Sequence, residues 1–238
     1  PSVVKSAKTP VTNEYHDVKV TDDYQWLENA ADPSVRSWTA QQNARTRAAL
    51  DKLPEHALIA QRLQQLNTGQ SVNYSGLQWR GGTLFALKFQ PPAQQPVLVR
   101  LDSLAQTNDD KVVLDLNKLG EAGSTSMDFY EVSPDGKILA AALSQQGSED
   151  GTLHFFAVET GRELPDQIPA VQYPTAGGSV AWNSESTGVF YTRYPRPGER
   201  PAADQHFYQQ VYFHQLGTPV AQDRYEIGKD FPKIAEVV

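Results

Sequence analysis

The 238 residues carry 21 basic and 28 acidic side chains, a net charge of −7, with 39% hydrophobic and 21% charged residues. This is an ordinary soluble, globular composition, long enough to bury a substantial core, and its acidity argues against nucleic-acid and anionic-membrane partners. The absence of cysteine excludes disulfides, thiolate metal sites and thiol nucleophiles, and no apolar run approaches the ~18 residues of a membrane span.

The opening PSVVKSAKTP has neither an initiator Met nor a hydrophobic signal core, so it reads as a trimmed or mature end. Compartment stays open between cytoplasm and periplasm. After this irregular start, residues 1–70 read as helical. Asp32-Pro33 is an acceptor at N-cap followed by proline at the first helical position, and SVRSWTAQQNARTRAALDKL follows it. Pro54 opens a second helix in which Leu58, Ile59, Leu63 and Leu66 form one stripe facing a partner surface. Gly69 closes it.

From Ser71 the texture changes to short apolar runs broken by Gly, Asp, Pro and Asn. Three similar units appear. GLQWRGGTLFALKF turns at Gly81-Gly82, DFYEVSPDGKILAAALS at Asp135-Gly136, and SVAWNSESTGVFYTRY near Thr187-Gly188. The Gly81-Gly82 and Asp135-Gly136 pairs are expected to supply the positive φ of two-residue hairpins. Third strands are expected at PVLVRL, TLHFFAV and QQVYFHQL, and fourth strands at KVVLDL, RELPDQI and DRYEIG. The units recur roughly every 50 residues, within the range of four-stranded propeller blades. Runs such as FFAV and VFY, apolar on both faces, suit sheets packed between sheets better than a sandwich with one wet face. The expected fold is mainly β: three four-stranded blades of a partial β-propeller, preceded by the helical segment. FPKIAEVV (Phe231–Val238) reads as the first strand of a fourth unit, so the chain is expected to be part of a longer one.

Catalytic motifs are missing. GGSVAW at Gly177–Trp182 lacks the trailing Gly of a nucleophile elbow and enters a strand. No zincin motif, phosphate loop or dinucleotide fingerprint occurs, so no cofactor and no metal is expected. His16, His56, His154, His206 and His214 are scattered; His206 and His214, eight apart, read as surface or strand histidines. Glu149 and Asp150 read as a solvated loop. Trp79 and Trp182 hold matching places on first strands, which favours packing between blades over a carbohydrate platform. The long polar loop Arg193–Gln210 is either a functional element or a plain insertion.

These segments together resemble the prolyl oligopeptidase family. DDYQWLEN and DPSVRSWTAQQNA are similar to the family's D-P-Y-x-W-L-E-D opening and W-x-x-x-Q-N helix, with Asp-Asp where the family has Asp-Pro. SPDGKILAAALSQQGSE, ETGRELPDQI, VAWNSESTGVFYTRYP and VYFHQLGT resemble, in order, its later signatures. The resemblance implies a serine peptidase whose α/β-hydrolase domain is capped by a seven-bladed propeller. It would cleave short proline-containing peptides after proline, with a Ser-His-Asp triad. That triad lies beyond Val238, so no catalytic residue is expected in this chain, which should be inactive alone. By the same resemblance, residues 1–70 pack on the hydrolase domain, residues 71–238 form an incomplete propeller that filters substrates by size, and the partner is the C-terminal remainder of the same protein. Tyr173 matches an aromatic lining a substrate pocket, Glu149 and Asp150 match an acidic position facing the catalytic domain, and Arg193–Gln210 matches a gating loop. The alternative reading is a non-catalytic propeller used as a binding scaffold.

Overall fold

The computed structural model describes residues 4–69, 71–103, 109–120 and 123–237. The chain divides into two compact units, Pro1–Gly69 and Gln70–Val238.

The first unit opens with a hairpin where an irregular start was expected. β1 (Val11–Tyr15) pairs antiparallel with β2 (Val18–Asp22). His16 and Asp17 both take positive φ, 50° and 64°, the twist that a two-residue hairpin demands. The usual Asn-Gly signal is absent, so the turn was hidden in the sequence. Helix α1 (Pro33–Leu50) starts as expected: the Asp32 carboxylate accepts from the Ser34 amide and hydroxyl, both at 2.7 Å. These bonds hold the Asp32 carboxyl below the usual carboxylate range. Trp26 meets Trp38 edge to face, with ring centroids 6.4 Å apart. Their indole N–H groups donate to the Ala7 carbonyl and the Ser6 hydroxyl, tying down the N-terminal strand of chain. In α2 (His56–Thr68) the stripe Leu58, Ile59, Leu63 and Leu66 is exposed.

The second unit is three four-stranded antiparallel sheets, each a meander in chain order. Blade 1 is β3 (Asn73–Arg80), β4 (Thr83–Phe89), β5 (Val97–Leu101) and β6 (Lys111–Asp115). Blade 2 is β7 (Thr125–Val132), β8 (Ile138–Gln145), β9 (Gly151–Ala157) and β10 (Glu163–Gln172). Blade 3 is β11 (Val180–Trp182), β12 (Gly188–Arg193), β13 (Gln210–Gln215) and β14 (Arg224–Ile227). The twelve strands expected for the three blades are present.

Side chains alternate across each strand, and blade 2 uses both faces for core. Leu139, Ala141 and Leu143 of β8, with Phe156 of β9, pack with Phe85, Leu98 and Leu114 of blade 1. Ala140 and Ala142, with Leu153 and Phe155, pack with Val180, Val189 and Tyr191 of blade 3. Three consecutive alanines in β8 let neighbouring sheets approach on both sides. This explains why the runs are apolar without alternation.

Three turns stack along one end of the blades. Gly81 and Gly82 have φ of 53° and 76°, the two-residue hairpin expected. The other two are longer. In blade 2 Ser133–Gly136 forms a turn with only Gly136 at positive φ (75°), and the Ser133 hydroxyl accepts from the Lys137 and Ile138 amides. In blade 3 the Asn183 side chain plays that part toward Thr187 and Gly188, and Ser186, not Gly188, takes the positive φ (57°). A side chain bonding its own turn replaces the glycine pair. The turns are joined: the Gly81 amide donates to the Pro134 carbonyl at 3.1 Å, and the Asp135 amide to the Ser186 hydroxyl at 3.3 Å.

Phe231–Val238 forms no strand among the described residues, and Val238 lies outside them. A ladder needs a paired neighbour, and the twelve strands of the blades pair within their own sheets. The segment is instead held to blade 3: the Tyr208 amide donates to the Lys233 carbonyl at 2.8 Å, and the Ser179 hydroxyl to the Val237 carbonyl at 2.8 Å.

Candidate functional site

Tyr173 follows directly after β10, where the chain folds back through a bridge to Gly177. Beneath it, Tyr194 is buried and fixes this bend. Its hydroxyl donates to the Gly177 carbonyl at 2.9 Å and accepts from the Ala176 amide at 3.1 Å. Burial pushes the Tyr194 hydroxyl pKa up to about 12, so it stays a neutral strut. Gln209, also buried, donates to the same Gly177 carbonyl at 3.0 Å. The ring of Tyr173 lies edge-on to Tyr194 and face-to-face on His206, with centroids 3.6 Å apart and planes 10° apart.

Tyr173, Tyr194 and His206, with Asp150, Ala170, Pro195, Pro197 and Gln205, line a cavity of about 180 Å³. The long loop, extending from the end of β12 to the start of β13, supplies one wall through Pro195, Pro197, Gln205 and His206. The end of blade 2 supplies the other. Asp150 therefore shares a cavity with Tyr173, while Glu149 does not line it. Glu149 takes φ 54°, and both acidic side chains are exposed, with no ion-pair partner among the described residues. Burial, and then the charges of Glu149 and Asp150, raise the pKa of nearby Asp128 despite its bond from Ser144. The corner is an acidic rim beside an aromatic and proline-lined pocket. It can hold a small apolar or ring-shaped group against Tyr173 and a cation at Asp150.

The first strands of the blades frame a second, larger hollow of about 550 Å³, lined by Trp79, Arg80, Glu131, Val132, Ala181 and Trp182 among others. Here the matched tryptophans differ. Trp182 packs on Phe155 and donates to the Glu131 carbonyl of blade 2 at 3.1 Å, the inter-blade role expected. Trp79, on the first blade of the second unit, is 60% exposed. Among the described residues no group of three His, Cys, Asp or Glu side chains could hold a metal ion. His206 and His214 are far apart in role: one caps the pocket, the other is buried in blade 3. His206, Tyr194 and Gln205 were missed in the sequence. The only signal for them was the length of the loop.

The family model for the prolyl oligopeptidase N-terminal beta-propeller domain matches residues 4–236. The chain belongs to the prolyl oligopeptidase family. Among the relatives of this propeller, a prolyl endopeptidase of Elizabethkingia meningoseptica is 28% identical over 234 residues, covering 96% of this chain and 31% of its own length. Prolyl oligopeptidase A of Galerina marginata is 28% identical over 231 residues, 87% of this chain and 30% of its own. In a solved structure from work on two prolyl endopeptidases, 93% of this chain aligns with 32% of that chain at a TM-score of 0.79 and 27% identity. Prolyl oligopeptidase B of Galerina marginata, bound to a 25mer macrocyclization substrate, shares the fold at a TM-score of 0.76 and 23% identity, covering 97% of this chain and 34% of its own. This prolyl oligopeptidase chain thus spans about a third of the length of the relatives it matches. No helix among its described residues is long and apolar enough to cross a membrane.

Proposed function

We propose that this chain is the propeller-bearing N-terminal portion of a serine endopeptidase that cleaves short peptides after proline. The family match from residue 4 to residue 236, with prolyl endopeptidases among the relatives, carries the reading. The serine, histidine and aspartate that attack the peptide and relay its proton belong to the part of the protein outside this chain. There an oxyanion would meet backbone donors. The blades restrict entry to slim, unfolded peptides. The exposed stripe of α2 packs on the hydrolase portion, since burying four large aliphatic side chains there removes exposed apolar surface.

In the intact protein, the cavity of Tyr173 and His206 receives an apolar or proline side chain of the substrate. The loop from Arg193 to Gln210 opens and closes over it. Glu149 and Asp150, without an ion-pair partner among the described residues, meet a basic group of the catalytic portion. Intact protein should release fluorophore from a proline-linked peptide, with a serine-directed inhibitor abolishing turnover, and should spare folded proteins carrying the same sequence. The 238-residue chain alone should release none. Inhibitor-sensitive turnover by the chain alone would overturn the assignment of the chemistry to the rest of the protein.

A further inference from the structure

His214, on β13, is fully buried and has a carboxylate on each ring nitrogen. Nδ1 lies 2.7 Å from Asp223 Oδ1, and Nε2 lies 3.2 Å from Asp166 Oδ1. Asp223 precedes β14 in the same blade, but Asp166 belongs to β10 of blade 2. Both carboxylates are themselves buried and already receive other donors: Gly217 N–H gives to Asp166 Oδ1 at 2.7 Å, and the Tyr191 hydroxyl to Asp223 Oδ2 at 2.6 Å.

Asp166 Oδ1 already accepts the Gly217 N–H, and His214 Nε2 faces that same oxygen. A neutral imidazole carries one N–H and would turn a lone pair toward one of the two carboxylates. An imidazolium donates to both. Burial opposes that charge, but the bonds and charges of Asp223 and then Asp166 outweigh it and raise the proton affinity of the ring.

We propose that His214 is a doubly protonated clasp between blades 2 and 3, and that losing its proton at alkaline pH loosens this one junction. The other groups facing the clasp do not supply a competing switch. Phe155 of β9 stacks on the ring, centroids 6.1 Å apart, and is uncharged. His154 of β9 points to the opposite face and pairs with Glu163. From β12 and the loop after it, Arg193 and Arg196 act on Tyr191, and Glu199 holds Arg193 through two bonds. Burial, with Asp223 beside it, keeps the Tyr191 hydroxyl protonated through the alkaline range. The junction of blades 1 and 2 instead carries Arg100–Glu159 at 2.7 Å and Arg80–Glu131 at 3.6 Å, ion pairs without a histidine.

The test is a nitrogen–proton correlation spectrum of the full chain with labelled histidine, from pH 6 to 10. At pH 7 both His214 nitrogens should carry protons, and Asp166→Asn should weaken proton binding by about tenfold or more. Over the same range, amide-exchange protection of β10 and β13, corrected for intrinsic rates, should fall relative to β4 and β5. A neutral tautomer at pH 7, an unchanged titration in the Asn variant, or equal loss of protection at both junctions would each overturn the proposal. The wild-type spectrum decides the protonation state even if the variant does not fold.

Discussion

Blade 2 and its neighbours have the same sequence texture but different surroundings. In blade 2, six consecutive residues of β8, Leu139–Ser144, are buried. In blade 1, Val112 of β6 is 58% exposed, and in blade 3, Phe190 of β12 is 36% exposed. The apolar residues of all three units are alike, so composition states that each sheet is meant to be covered twice. Which sheets are covered is decided by what lies beside them. The matched pair Trp182 and Trp79 shows the same point with one residue type: equal positions, one bonded to the preceding blade and one exposed.

The largest test of this contrast is Phe155→Ala. It empties a fully buried site between blades 2 and 3 and should cost about 3–5 kcal/mol in urea unfolding. Phe190→Ala, on the outer face, should cost clearly less; equal losses would erase the distinction. Tyr191→Phe comes next. It removes the hydroxyl donated to the buried Asp223 carboxylate and should cost about 1.5–3 kcal/mol.

The tryptophans give a finer comparison. Trp182→Phe leaves the Glu131 carbonyl without its indole donor and should cost about 1 kcal/mol, whereas Trp79→Phe should stay within about 0.5 kcal/mol. Similar values for both would show that the inter-blade bond contributes nothing.

The pH dependence separates the two junctions further. His214 binds its proton more tightly folded than its ordinary value of 6.5 allows unfolded. Its contribution is complete below 6.5 and is lost as pH rises through the folded value. Asp135 in the turn of blade 2 behaves oppositely. Its burial is outweighed by bonds from Ser133 and the Lys137 amide, so its carboxyl lies below its ordinary 3.8. Its stabilisation is present above that value and is lost as pH falls through the lower folded value. Thermal melts of His214→Gln and Asp135→Asn should therefore converge on wild type at high and at low pH respectively. This turn carboxylate is partly exposed, and its effect should be the smallest.

The blades were legible because turn residues and doubly apolar runs are local signals, and all twelve strands lie where those signals placed them. The hairpin from Val11 to Asp22 was not, since His16 and Asp17 adopt a positive φ that glycine or asparagine normally announces. The third turn lies where Thr187-Gly188 marked it, although Ser186 carries its positive φ. The end of the chain, from Phe231, was read as a strand from its apolar residues, but a strand requires a partner that a local pattern cannot supply. For the candidate site, the resemblance singled out Tyr173, Glu149 and Asp150. The partners His206 and Tyr194 come from elements brought together only by the packing of blade 3 on blade 2. The clasp was invisible for the same reason: Asp166 and His214 are 48 positions apart.

The most direct test of the account is the hydrolysis of a proline-linked peptide by the intact protein, wild type against Tyr173→Ala. If the cavity of Tyr173 and His206 receives part of the substrate, kcat/KM should fall by about tenfold, near 1.4 kcal/mol of lost contact, while the fold is unchanged. A variant whose kcat/KM stays within about twofold of wild type, well under 1 kcal/mol, would contradict it.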